Sequence, residues 1–174
     1  MMLDVQLPAN HAIALLKRDH EAVKNLFDRF EKARSAAARK KIVLQAVTEL
    51  EIHATLEEEI FFPTVCGDIG DQIMNNAYEE HHVVRVLVAD LGRDRNARNH
   101  AKFTVLAENV REHITEEEDE MMHRASALNI DFLALGDRML ERKKELLADV
   151  VPAIRQKTLA AVSAKRREVK KVKA

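Results

Sequence analysis

A set of three side chains that occurs twice constrains this sequence more than any other feature. Each set is a histidine followed, 32 or 33 residues later, by a His-x-x-x-Glu element. The first set is His20, His53 and Glu57, and the second is His81, His113 and Glu117. Residues four apart lie on one face of a helix, so each element can offer a nitrogen and an oxygen to one point. Four imidazoles and two carboxylates predict a ligand set for two metal ions.

The composition predicts an all-α protein. A chain of 174 residues can form one domain with a sizeable core, so a metal is not needed merely to hold it together. Four Gly and three Pro supply few turn signals, while 33% charged and 47% hydrophobic residues are typical of long helices. We therefore expect a metal in this chain to be functional.

Cysteine content and hydropathy indicate where such a chain resides. Cys66 is the single cysteine, which excludes an internal disulfide and a thiolate-rich metal site and fits a reducing compartment. No segment approaches the run of about 20 apolar residues that crosses a bilayer. The first residues, MMLDVQLPANH, lack the order of a signal peptide. We expect a cytoplasmic protein without a membrane partner.

Apolar periodicity predicts four long helices and a C-terminal extension. The helices span about 10–33, 37–62, 71–92 and 98–125. Each apolar stripe carries at least one member of the repeated set, so residues 10–125 form the metal-binding unit. Residues 126–174 are predicted as a helical extension, with a fifth helix over 131–150. Its basic tail, 165–174, lacks the aromatic residues typical of nucleic-acid binding, and we expect no nucleic-acid partner.

The two stripe glutamates distinguish a metal site from a set of core histidines. A single histidine on an apolar stripe is more often a hydrogen-bonded core residue than a ligand. A buried carboxylate, however, needs a cation, and no Lys or Arg lies at the central level of the four stripes. Helix phase favours His81 over its neighbour His82. It assigns the other glutamates of the acidic runs to a solvated face, namely Glu58, Glu59, Glu116 and Glu118.

Mixed ligands narrow the choice of metal. Imidazole with carboxylate suits iron, manganese or zinc and excludes the all-oxygen cage of calcium or magnesium. Six protein ligands shared by two ions leave coordination positions open, whereas structural zinc is normally closed and four-coordinate. The pattern therefore indicates a reactive site.

Four segments carry a resemblance to a known family: LLKRDHEAVKNLF, ELEIHATLEEEIFFP, EEHHVVRVLV and VREHITEEEDEMM. Over residues 10–125 the chain resembles the hemerythrin-like HHE cation-binding family. The resemblance implies an up-down-up-down four-helix bundle and two iron ions with an oxo or hydroxo bridge. It implies as ligands His20, His53, Glu57, His81, His113 and Glu117. Oxygen-carrying hemerythrins have a second histidine four residues after the one matched by His81, and this chain has Arg85 there. Simple reversible oxygen carriage is therefore not what this pattern favours.

The resemblance implies a function in oxidative or nitrosative stress or iron handling, with dioxygen, peroxide or nitric oxide as the small ligand. Catalase-like turnover of peroxide is one activity associated with such proteins, and the sequence leaves open whether this chain is an enzyme. One alternative is a non-catalytic iron or oxygen sensor that a protein partner, or a second copy, reads through the C-terminal helices. The other is a helical interaction module that the metal stabilises.

Overall fold

The computed structural model describes residues 7–93 and 98–149, and these form helices without any β-strand. The all-α prediction is confirmed. The helices are α1 (Ala12–Lys32), α2 (Ala36–Leu56), α3 (Phe62–Ile69), α4 (Asp71–Arg93), α5 (Arg98–Glu116), α6 (Met122–Ala125) and α7 (132–149). The described chain therefore has five long helical stretches, the fifth being α7. The basic tail, 165–174, lies outside the described residues.

Local chemistry fixes the ends of several helices. The Ser35 hydroxyl accepts a hydrogen bond from the backbone N–H of Ala38 at 3.1 Å, which caps the start of α2. Gly70 has a φ of 107°, in the region that favours glycine, and it separates α3 from α4. The chain can therefore turn sharply there and begin α4 one residue later.

Two π-helical turns interrupt the helical rods at equivalent places in the repeat. The first spans Glu57–Phe61 and the second spans Glu117–Met121, so each begins at a repeated glutamate. The predicted end of the second helix at about residue 62 is wrong, because the helical rod continues through α3 to Ile69. Pro63 lies in the first turn of α3, directly after the wide turn, where its missing N–H costs little. π turns of this kind often mark functional sites.

The apolar core consists of two clusters on either side of the histidine and glutamate layer. α1 packs mainly against α2, and α4 mainly against α5. One cluster includes Leu16, Phe61 and Met121, and the other includes Phe27, Phe103 and Val110. The polar groups of this layer therefore lie in the interior, between two apolar blocks.

Helix α7 packs on the first of these clusters through Phe132, Leu135 and Met139, which are all buried. Gly136 allows the close approach, since a Cβ atom there would lie 1.8 Å from the backbone oxygen of Asn10. Among the described helices, none has the length and apolar character needed to span a membrane.

Candidate metal centre

The six predicted ligand residues are brought together between the two core clusters. Glu57 is 0% exposed, and none of the other five exceeds 6%. They are the only polar or charged residues that are buried in the part of the chain the structure describes: His20, His53, Glu57, His81, His113 and Glu117. His82 is exposed, as helix phase predicts. No Lys or Arg accompanies the two carboxylates into the described core.

The imidazoles meet in pairs, one pair in each half of the repeat. The Nε2 atoms of His20 and His53 lie 3.1 Å apart, and those of His81 and His113 lie 3.3 Å apart. Two nitrogens bound to one ion at about 2.1 Å, with an angle of about 90–110° between them, are separated by about 3.0–3.4 Å. The spacing in each pair therefore matches two neighbouring ligands of one metal ion.

Glu57 faces both pairs. Its Oε1 lies 3.1 Å from Nε2 of His53, and its Oε2 lies 3.2 Å from Nε2 of His81. Glu117 places its Oε2 3.2 Å from Nε2 of His20 and 3.8 Å from Nε2 of His113. Two groups of atoms could each hold an ion: His20, His53, Glu57 and Glu117 in one, and Glu57, His81 and His113 in the other. Glu57 belongs to both groups, so it has the geometry of a bridging carboxylate.

The carboxylate oxygens provide a test of whether a metal fits. All four side-chain oxygens of Glu57 and Glu117 are buried, and none receives a well-aligned hydrogen bond from the described residues. A buried polar atom without a partner costs about 1–3 kcal/mol, and more when it is charged. A native core leaves few such atoms, so four at one point indicate that another group satisfies them. A divalent cation fits this donor set in both charge and ligand type.

Without a metal, the buried carboxylates and imidazoles shift one another's pKa values in different directions. Burial raises the pKa of Glu57, but the neighbouring imidazoles of His53 and His81 outweigh this and hold it well below its usual range. Burial and the charge of Glu57 raise the pKa of Glu117. Burial lowers the pKa of His20, but the neighbouring carboxylates of Glu117 and Glu118 raise it to about 10. Protons therefore compete for positions that a cation would occupy.

Three further carboxylates orient the imidazoles from outside. Nδ1 of His20 donates to Glu118 at 2.9 Å, and Nδ1 of His81 donates to Glu58 at 2.8 Å. Nδ1 of His113 donates to Glu80 at 2.6 Å. A proton fixed on Nδ1 leaves the lone pair of Nε2 directed into the site, which is the tautomer that a metal ligand needs. Donor geometry and burial thus agree with metal binding.

The comparison with known families agrees with the geometry. The family model described as hemerythrin HHE cation binding domain matches residues 11–125. The chain belongs to this family. A crystal structure of a hemerythrin HHE cation binding domain-containing protein from Mycobacterium kansasii has the same fold, with a TM-score of 0.73 and 20% sequence identity. The alignment covers 83% of this chain and 92% of that one. No curated protein sequence matches the chain.

The orienting carboxylates of this hemerythrin-family site were missed at the level of sequence. Glu58 and Glu118 were assigned to a solvated face, but each side chain is only 24% exposed and bonds a histidine on another helix. Glu80 was not singled out. A usable signal exists, because Glu58 and Glu118 repeat at the same 60-residue interval as the ligand glutamates.

The two halves of the hemerythrin-family repeat differ at one orienting position. Glu80 immediately precedes His81, and its counterpart before His20 is Asp19. Asp19 instead accepts a hydrogen bond from Nζ of Lys143 on α7 at 2.6 Å. Nδ1 of His53 is buried and has no hydrogen-bond partner among the described residues. The orientation of three of the four imidazoles is therefore held by a carboxylate at Nδ1, and that of His53 is not.

A cavity of about 490 Å³ adjoins the imidazoles, and we call it the seam cavity. Its wall consists of the four imidazoles and the apolar side chains of Val23, Leu50, Val84, Val88, Val110 and Ile114, with Glu51, Arg85 and Ala89 among the remaining lining residues. These last three are exposed and lie on α2 and α4, so the cavity opens between those helices. Arg85 donates to Glu58 there, at 2.5 Å.

Proposed function

We propose that this protein holds two iron ions and binds or turns over dioxygen-derived ligands, in oxidative or nitrosative stress or in iron handling. The proposed ligands are His20, His53, Glu57, His81, His113 and Glu117, carried by helices that form the up-down-up-down four-helix bundle of the family. The observation that carries the proposal is Glu57, whose two buried oxygens face imidazoles of both halves at 3.1 and 3.2 Å. Bound iron would supply redox chemistry and open coordination positions.

The protein's own groups have three tasks in this proposal. The outer carboxylates keep the imidazoles in the tautomer that directs Nε2 inward. Glu57 and Glu117 provide negative charge that no buried Lys or Arg among the described residues balances. The apolar wall of the seam cavity lowers the local polarity beside the imidazoles, which strengthens the electrostatic interactions within the site.

Catalase-like turnover is the activity we propose to test first, with the balance 2 H₂O₂ → 2 H₂O + O₂. Protein purified with iron is expected to contain two iron ions per chain, to absorb in the near ultraviolet and to release oxygen from hydrogen peroxide. His81→Ala should lose at least one ion and the oxygen release, and His82→Ala should keep both. One tightly bound zinc ion and no near-ultraviolet band would contradict the proposal.

A second candidate function is a sensor without turnover, and contacts of α7 favour it. Lys143 bonds Asp19, the neighbour of His20, and Arg142 donates to Glu59, two residues from Glu57. A change at the site can therefore reach the C-terminal helix, where a protein partner or a second copy could read it. Full iron loading with no oxygen release, and protection of α7 from proteolysis only when iron is bound, would favour the sensor. A cytoplasmic location remains our prediction for either function.

A further inference from the structure

The seam cavity is larger than the proposed small ligands require. It has a volume of about 490 Å³. Dioxygen and hydrogen peroxide have two heavy atoms each, and one water molecule takes about 30 Å³ in the liquid. Pockets that bind organic molecules have volumes of about 300–1,000 Å³. The seam cavity falls in that range, so a ligand of two atoms would leave most of it to water.

Its wall is chemically divided. The four imidazoles form one side, and valine, leucine and isoleucine side chains form most of the rest. The charged groups lie at the mouth, where Arg85 is already bonded to Glu58. A negatively charged group lying along the apolar part of the wall would lose its hydration, and no buried Lys or Arg among the described residues pairs with it there. An uncharged molecule with a hydrocarbon body suits this wall better.

We propose that the seam cavity binds an organic hydroperoxide, ROOH, with its hydrocarbon body against the apolar wall and its peroxide end toward the imidazoles. The inference rests on the proposed function, and it extends the peroxide class from HOOH to ROOH. The hydrocarbon body of the hydroperoxide displaces water from Val84, Val88 and their neighbours. This burial of apolar surface supplies the affinity. Hydrogen peroxide has no hydrocarbon to bury, so it should bind in this cavity more weakly than ROOH.

Binding can be measured without any turnover by using cumyl alcohol, the unreactive alcohol that corresponds to cumene hydroperoxide. Equilibrium dialysis of the iron-loaded protein should show saturable binding of one molecule per chain, and tert-butanol should bind more weakly because it buries less apolar surface. Val88→Phe should weaken binding of cumyl alcohol at least tenfold, since the ring fills part of the cavity. Val86→Phe is the matched control. Val86 is 54% exposed on the same helix and does not line the cavity, so binding should stay within twofold.

Iron content of both variants should equal that of the wild-type protein, which excludes loss of fold as the cause. The inference is wrong if cumyl alcohol does not bind at millimolar concentration, or if Val86→Phe weakens binding as much as Val88→Phe. Absence of cumyl alcohol binding together with oxygen release from hydrogen peroxide would overturn the inference and leave the proposed function standing. Saturable binding that only Val88→Phe weakens, without turnover of any peroxide, would support the cavity site and contradict the proposed turnover.

Discussion

Removal of an orienting carboxylate should weaken metal binding although the carboxylate is not a proposed ligand. Glu58→Ala deletes the acceptor that lies 2.8 Å from Nδ1 of His81. The His81 ring can then turn, and either nitrogen can carry the proton, so part of the population no longer directs a lone pair into the site. Loss of such a partner typically lowers metal affinity by about 10–100-fold. This corresponds to about 1.4–2.7 kcal/mol per ion.

We expect the loss of metal affinity in Glu58→Ala to fall in that range. The Glu58 side chain is 24% exposed, so its charged hydrogen bond to His81 is mostly shielded from solvent. Glu58→Gln keeps an oxygen acceptor but loses the charge, and its effect should lie between wild type and Glu58→Ala. Glu118→Ala removes the equivalent contact to His20, at 2.9 Å, and should cost a similar amount. The two losses should add, because the carboxylates bond different imidazoles.

Competition with a chromophoric ferrous chelator under anaerobic conditions measures these affinities. The matched controls are Glu59→Ala and Asp119→Ala, which change the next residue in each acidic run. Both of these side chains are exposed, and neither contacts a histidine in the described structure. Equal affinities for Glu58→Ala and Glu59→Ala, within twofold, would refute the orienting role.

Two further predictions concern stability. The pKa of His20, raised to about 10, means that in metal-free protein its protonation stabilises the fold fully below pH 6.5 and that this is lost as the pH rises toward 10. The free energy of unfolding of iron-loaded protein should instead rise with pH near neutrality, because acid protonates the ligands and releases the metal. Denaturant melts at several pH values measure both forms, and the same pH dependence in both would contradict this. Gly136→Ala should release α7 and lower the melting temperature, since its Cβ would meet the Asn10 backbone. Gly67→Ala, with nothing within 4 Å, should be neutral or stabilising by at most about 1 kcal/mol in circular dichroism melts.

Sequence periodicity was enough to predict that the six repeated residues lie together, because helix phase alone decides which face a residue occupies. His81 and His82 illustrate this: they are adjacent in sequence, but one is 3% exposed and the other lies at the surface. An error of one residue in phase would have exchanged them. The long helices α1, α2, α4 and α5 were regular enough for their apolar stripes to be read directly, whereas the short helices α3 and α6 were not predicted as separate elements.

The orienting carboxylates could not be read in the same way. An ideal helix places Glu58 about 100° from the face of Glu57, which is why periodicity assigns it to solvent. In the structure a π turn begins at Glu57, and Glu58 reaches His81 on a different helix. That contact depends on the spacing and rotation of α2 relative to α4. Neither quantity is contained in the pattern of a single helix. The continuation of the helical rod past Pro63 could not be predicted from that pattern either.

The contact of α7 with one half of the repeat makes the two proposed iron sites unequal. Lys143 holds Asp19, the counterpart of Glu80, and His53 is left as the one imidazole whose Nδ1 lacks a partner among the described residues. A less constrained ligand binds more weakly, so a chelator should remove iron in two phases, the faster one from the half that contains His53. Lys143→Met frees the Asp19 carboxylate, which is 16% exposed, to accept from His53 as Glu80 does from His113. In this variant the fast phase of iron removal should slow toward the rate of the slow phase. Removal of both ions in a single phase from the wild-type protein would show that the asymmetry has no effect on the metals.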